Sequence, residues 1–311
     1  MSCVESSQEK IWKPSLYLKA LRAPFLSATT LPMILGGLLA LKEKEGSMLL
    51  FALIITCGAL INLATNTLND YFDYIKGCDN KETPRTPFSG GSGLIVDGLL
   101  TTEEVSRLST VLIFFAFTSG LVILTLSPAN PFIVLLLGLG GIFLGYAYSA
   151  PPFSLSSRGL GELAVFLACG PLSVIAPCYI MSGAFSTTSL FASLPPGLMT
   201  TAILWINQFP DFESDRKSGK RNLLVRIGRE KGRLFYFMLL MAAAGTLVFA
   251  SLASFLPMAS LWGLAFLIPL PGAAKILAKN DKNPEKLIPA MALTILSQTL
   301  LSIAMILAVI I

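Results

Sequence analysis

Apolar and polar positions along this chain come in long blocks. Runs of about 20 apolar residues, enough to cross a hydrocarbon core of roughly 30 Å, fall near 21–41, 48–68, 105–126, 131–150, 161–182, 189–209, 233–254, 259–278 and 287–310. The pattern predicts an all-α, polytopic membrane protein with nine transmembrane helices, built as a single integral membrane domain over residues 1–311. The runs are broken at Pro24, Pro32, Gly36-Gly37, Gly170-Pro171, Pro177, Pro195-Pro196 and Pro271-Gly272. Such breaks are tolerated where backbone lines a cavity or packs on protein, although membrane helices are in any case richer in Gly and Pro.

Composition agrees with the block pattern. Only 13% of residues are charged, about half the usual share in a soluble domain, and the mean hydropathy is +0.71. Of the 23 Lys and Arg, all but Lys42 and Lys44 fall on one side of the predicted spans. By the positive-inside rule that side is cytoplasmic, which puts the N-terminus inside, the C-terminus outside, and the chain in the plasma membrane as a multi-pass protein. The polar first twenty residues lack the apolar core of a signal peptide, so the first span is expected to act as the insertion signal. Cys3, Cys57, Cys78, Cys169 and Cys178 show no paired spacing and read as packing residues. There is no histidine, so carboxylates, Lys, Tyr or the substrate must do any proton work.

Candidate chemistry sits where two apolar runs end. Asn62, Asn66, Asp70 and Asp73 recur at helical spacing in INLATNTLNDYFDYIKGCD, and Asn207, Asp211 and Asp215 do so in WINQFPDFESDRKSGKRN. Each set shares one helix face, and the likeness suggests one site made from two halves. A charge deep in a bilayer costs at least about 2.5–3.5 kcal/mol, and neighbouring carboxylates also repel. A hard divalent cation relieves both, since Mg²⁺ takes oxygen ligands and commonly binds through one or two carboxylates together with substrate phosphates. Asn66, Asp70, Asp73, Asp211 and Asp215 therefore form a candidate metal–diphosphate clamp, the alternative being that they only cap helices or pair with loop cations. Asp79 lies past Gly77, where the helix is expected to end.

Basic residues cluster on the same side, as topology alone would also arrange. Arg85 in TPRTPFSGG and Lys220 in SGKRN share loops with the carboxylates, and Arg22 sits at the edge of the first span, where a substrate phosphate or a lipid headgroup is equally in reach. The segment GYAYSAPPFSLSSRGLGE adds Tyr148, Arg158 and Glu162. A tyrosine here suits the aromatic belt, or its ring face stabilises a developing cation. The loop SGGSG at Ser89–Gly93 can bend freely, and the cytoplasmic loops are expected to cap the site as mobile lids.

NDYFDYIKGCD, YSAPPF…RGLGE and DFESDRKSGKRNLLVRIG together resemble the UbiA superfamily of intramembrane prenyltransferases, most closely the branch that prenylates dihydroxynaphthoate. The resemblance implies a helical bundle around a central cavity open to lipid, with cytoplasmic cap loops. It implies two Asp motifs that hold Mg²⁺ and the diphosphate of a polyprenyl donor: Asn66, Asp70 and Asp73 in the first, Asp211 and Asp215 in the second. Arg22, Arg85, Tyr148, Arg158 and Lys220 would assist at the diphosphate or the allylic carbon. Two positions depart from the wider family: Gly77 stands where many members carry an Asp, and Ser156, Ser157 and Arg158 stand where others carry a lysine.

The expected activity is Mg²⁺-dependent transfer of a polyprenyl group from its diphosphate to an aromatic acceptor such as 1,4-dihydroxy-2-naphthoate, for a quinone-type redox carrier. The partners are then the polyprenyl diphosphate, the aromatic acceptor and membrane lipid, with no nucleic acid and no protein partner called for. A glyceryl phosphate acceptor is the alternative within the class. A transporter is the alternative outside it, although its polar groups should lie near the midplane, whereas these lie at one end.

Overall fold

A computed structural model describes residues 14–43 and 46–311. The expectations for the N-terminal arm, including Cys3, and for Lys44 lie outside the described residues. Nine helical stretches among the described residues are long and apolar enough to cross a membrane. A short helix α1 (Pro14–Ala20) precedes α2 (Ser27–Glu43), α3 (Met48–Ile75), α4 (Thr102–Leu126) and α5 (Pro131–Ser149). The fifth span joins α6 (Gly161–Leu167) through a π turn (Ala168–Leu172) to α7 (Ser173–Ser182). Then come α8 (Thr187–Lys217), α9 (Leu223–Leu252), a 3-10 stretch (Met258–Leu267) leading into α10 (Leu270–Asn280), and α11 (Pro284–Ile310). The spans α3 and α8 outrun their apolar runs at the C-terminal end, carrying their polar faces onward as helix to Ile75 and Lys217, and α9 begins before its run and is kinked at Gly228 (φ 82°).

Side-chain caps set several starts. Ser47 accepts from the Leu50 amide, Thr101 and Glu104 form a reciprocal capping box, and Asn130 precedes Pro131 at the first helical position of α5. The expected break at Gly170-Pro171 is the π turn. There Gly170 packs on Gly197 of α8 so closely that a Cβ would sit 2.8 Å from the Gly197 Cα, the kind of approach that holds membrane helices by close packing. Helix α8 is the buried axis, with Trp205, Ile206 and Phe209 enclosed and the Trp205 indole donating to the Gly232 carbonyl at 2.8 Å. By contrast Phe114, Phe115, Leu121, Phe132 and Leu136 on α4 and α5 are exposed, as lipid-facing residues are.

The segment between α3 and α4 folds over the end of the bundle. Leu94, Ile95 and Leu100 pack with Ala20 and Val105 into a small separate core, which fastens this cap to α1 and α4.

Candidate active site

Helices α3 and α8 end in the same way. At Gly77 and Gly219 the backbone turns left-handed (φ 72° and 81°), and the next amides fold back: Cys78 donates to the Asp73 carbonyl at 2.8 Å and Lys220 to the Asp215 carbonyl at 2.9 Å. Glycine adopts this conformation without steric cost. The consequence is chemical. One turn returns Asp79 to the cavity and the other returns Lys220, and both line it.

Lys220 joins the two halves. Its Nζ lies 3.0 Å from Asp73 Oδ2 and 3.4 Å from Asp215 Oδ1, and the two carboxylates hold the ammonium form well above its ordinary range against the opposing effect of burial. Each carboxylate is also positioned from its own side. Asn69 Nδ2 donates to Asp73 Oδ2 at 3.0 Å. Asn222 caps α9 by accepting from the Val225 amide, and its Nδ2 donates to Asp215 Oδ2 at 2.8 Å. The cap loop adds two backbone donors, from Gly90 N to Asp211 Oδ2 at 3.3 Å and from Ser92 N to Asp70 Oδ2 at 3.0 Å. Burial, then the Asp73 and Asp70 carboxylates, push the Asp79 carboxyl up to about 7.

Below this polar end lies a cavity of about 360 Å³ walled by α2 to α8. Arg22, Asn66, Asp73, Tyr148, Asp211, Asp215 and Lys220, all expected from the sequence, line it. Asp70 is placed differently. It is buried under the cap loop, 3.6 Å from Arg22 Nη1, and is not among the residues that line the cavity. Arg22, itself at a left-handed φ of 50°, also donates to the Phe88 carbonyl at 3.3 Å, so it ties the first span to the cap.

Two expected cations point elsewhere. Arg85 Nη1 donates to both Asp97 oxygens at 2.7 Å, and Arg158 is exposed, its carbonyl accepting from Arg226. Neither lines the cavity. At the position of Arg158's segment, buried Ser156 lines it instead. Asn69, Asp79 and Gln208 line it as well. The signal for Asn69 was present, since Asn69 and Asp73 are four apart as Asn66 and Asp70 are, and spacing alone does not choose between overlapping helical faces.

The donor set suits a hard cation. Asp70 Oδ1, Asp73 Oδ1, Asn207 Oδ1 and Asp211 Oδ1 are all buried without a hydrogen-bond partner, and buried oxygen acceptors of this kind need a cation or a donor. Among the described residues no three carboxylates or thiols stand close enough to hold an ion by themselves.

Residues 30–297 match the model of the UbiA prenyltransferase family. The chain is 33% identical over 285 residues to the UbiA prenyltransferase domain-containing protein 1 homolog of Drosophila melanogaster, covering 90% of this chain and 75% of that one. It is 29% identical over 275 residues to the 1,4-dihydroxy-2-naphthoate octaprenyltransferase of Escherichia coli, covering 85% and 84%. Among solved structures, a UbiA homolog from Archaeoglobus fulgidus bound to GPP and Mg²⁺ shares the fold with a TM-score of 0.61 at 18% identity, covering 95% of this chain and 98% of that one. A structure of digeranylgeranylglyceryl phosphate synthase aligns with a TM-score of 0.59 at 18% identity, covering 95% and 98%.

Proposed function

The chain belongs to the UbiA prenyltransferase family, a multi-pass membrane enzyme that transfers prenyl groups, and from that premise we propose that it moves a polyprenyl chain from its diphosphate to a hydroxynaphthoate-type aromatic acceptor. The observation that carries the donor half is the joining of two carboxylate-bearing helix ends by Lys220 above an apolar cavity. The acceptor half is supported by the relatives that bear naphthoate prenyltransferase names over most of this chain. The charge asymmetry of the sequence supports a cytoplasmic site, and we place the protein in the plasma membrane.

Asp73, Asp211, Asp215 and Asn207 would hold a Mg²⁺ ion, which would supply charge neutralisation at the diphosphate. Lys220 and Arg22 donate to diphosphate oxygens as the allylic C–O bond breaks and the electron pair leaves with the diphosphate. The Tyr148 ring borders the space where the allylic cation develops, and the apolar walls below exclude water that would quench it. A ring carbon of the acceptor attacks, and the ring then loses a proton, or carbon dioxide if the attacked carbon bears a carboxylate. The test is diphosphate release from labelled polyprenyl diphosphate by the protein in lipid, with and without Mg²⁺, against hydroxynaphthoate and glyceryl phosphate acceptors. Metal-dependent prenylated naphthoate is expected. Product from glyceryl phosphate alone would overturn the acceptor, and movement of label across sealed vesicles with no product would overturn the catalytic role.

A further inference from the structure

One polar group that lines the cavity is hydrogen-bonded to neither the clamp carboxylates nor the cap. Gln208 of α8 lines the cavity. Its Nε2 donates at 2.9 Å to Oε1 of Glu162, a buried residue at the start of α6. The same carboxylate oxygen accepts from the Leu223 amide at the start of α9 at 3.3 Å, so Glu162 is fixed by two separate helices. A carboxylate accepts and has no hydrogen to give, which decides the orientation of the amide: Nε2 must face Glu162. Gln208 Oε1 is then left buried with no partner. Ser156 Oγ, which also lines the cavity, is likewise buried and unpaired.

A buried, oriented carbonyl without a donor is a strong selector, because a ligand that brings an O–H satisfies it and one that lacks the O–H leaves it unpaired. Neither a diphosphate nor a hydrocarbon tail carries such a donor. A hydroxyl on an aromatic ring does. We propose that Gln208 Oε1 receives a hydroxyl of the aromatic acceptor, with Glu162 as the positioning residue that keeps the amide turned to present its oxygen. Gln208 is thus the specificity-determining contact for a hydroxylated ring. The assignment rests on the aromatic acceptor proposed above.

The experiment uses the full chain in lipid with Gln208→Met, which keeps length and volume, and Glu162→Gln, which lets either amide turn. Each is assayed with a dihydroxynaphthoate and with the analogue whose hydroxyls are methylated, alongside equilibrium binding of the dihydroxynaphthoate. In Gln208→Met, kcat/KM for the hydroxylated acceptor should fall roughly tenfold, the yield of one hydrogen bond, while KM for the polyprenyl diphosphate stays at the wild-type value. Discrimination against the methylated analogue should collapse in that variant. Glu162→Gln should raise the acceptor KM with kcat nearly kept, and Glu162→Asp should restore part of it. Wild-type turnover with an unchanged acceptor preference in Gln208→Met overturns the assignment of Gln208 alone, as does an equal loss for donor and acceptor. Absence of both binding and product in the wild type overturns the assignment together with the aromatic acceptor itself.

Discussion

Replacing Lys220 by Met removes the cation that touches both halves of the site. The three side chains are 13%, 8% and 5% exposed for Lys220, Asp73 and Asp215, so solvent does little to screen the loss. Removing one partner of a buried ion pair costs about 3–5 kcal/mol, because the other charge stays buried without compensation. Here Asp73 keeps its bond from Asn69 and Asp215 keeps its bond from Asn222, which places the cost at the lower end, about 3 kcal/mol. A divalent cation can replace the missing charge, so Mg²⁺ should recover part of that stability in the variant and add less to the wild type. Thermal unfolding in lipid nanodiscs, with chelator and with millimolar Mg²⁺, reads both quantities. The variant should unfold several degrees lower in chelator and close much of the gap with Mg²⁺, while turnover falls on the order of 10²-fold for loss of a leaving-group donor. Equal midpoints in chelator, or an equal gain from Mg²⁺ in both proteins, would refute the view that Lys220 balances the two carboxylates.

Other substitutions address the remaining parts of the site. Asp211→Asn should abolish metal-dependent turnover while leaving membrane insertion intact, measured by activity beside protease accessibility of the loops; full activity would remove Asp211 from the site. Gly91→Ala places a side chain at φ 66° with its Cβ 2.3 Å from Asp79 Oδ2, so the loop should lose about 1–2 kcal/mol and Asp79 must rotate away. Donor KM should rise in that variant, and a wild-type KM would show that Asp79 need not face inward. Arg85 holds the exposed Asp97 carboxyl below its ordinary value through a hydrogen bond. The stabilisation from that pair is therefore fully present above the unfolded value of about 3.9 and is lost as the pH falls below it. Asp97→Asn should lower the unfolding midpoint slightly at neutral pH and match the wild type in acid; a gap that widened in acid would reverse the sign.

The spans were legible because the length of an apolar run is set by the bilayer and each run carries charge, if at all, only near its ends. Their polar extensions were also legible, since Asp73 and Asp215 continue the helical spacing of the apolar faces before them. Beyond Gly77 and Gly219 the spacing rule ends with the helix, and only the turn shows that Asp79 comes back to the cavity. Arg85 and Arg158 lie off the cavity, and the sequence did not show this for a related reason. Basic residues collect on one side of a membrane protein whether or not they touch a ligand, so proximity in sequence to a motif did not distinguish Arg85, held by Asp97, from Lys220, held by Asp73 and Asp215. Glu162 stood out in the sequence without a role, because its partners Gln208 and Leu223 lie 46 and 61 residues away.

The shared hold of Asp73 and Asp215 on Lys220 also bears on how a turnover ends. A phosphate that engages this ammonium must share its three N–H donors with two carboxylates, and once the prenyl tail has left, the diphosphate loses its anchorage in the cavity while the carboxylates remain. On that reading they would compete for the lysine as an internal displacing agent, and the resting ion pair would favour release of the by-product. Weakening that competition with Asp215→Asn should make free diphosphate a stronger inhibitor, and an unchanged inhibition constant would show that release proceeds without it.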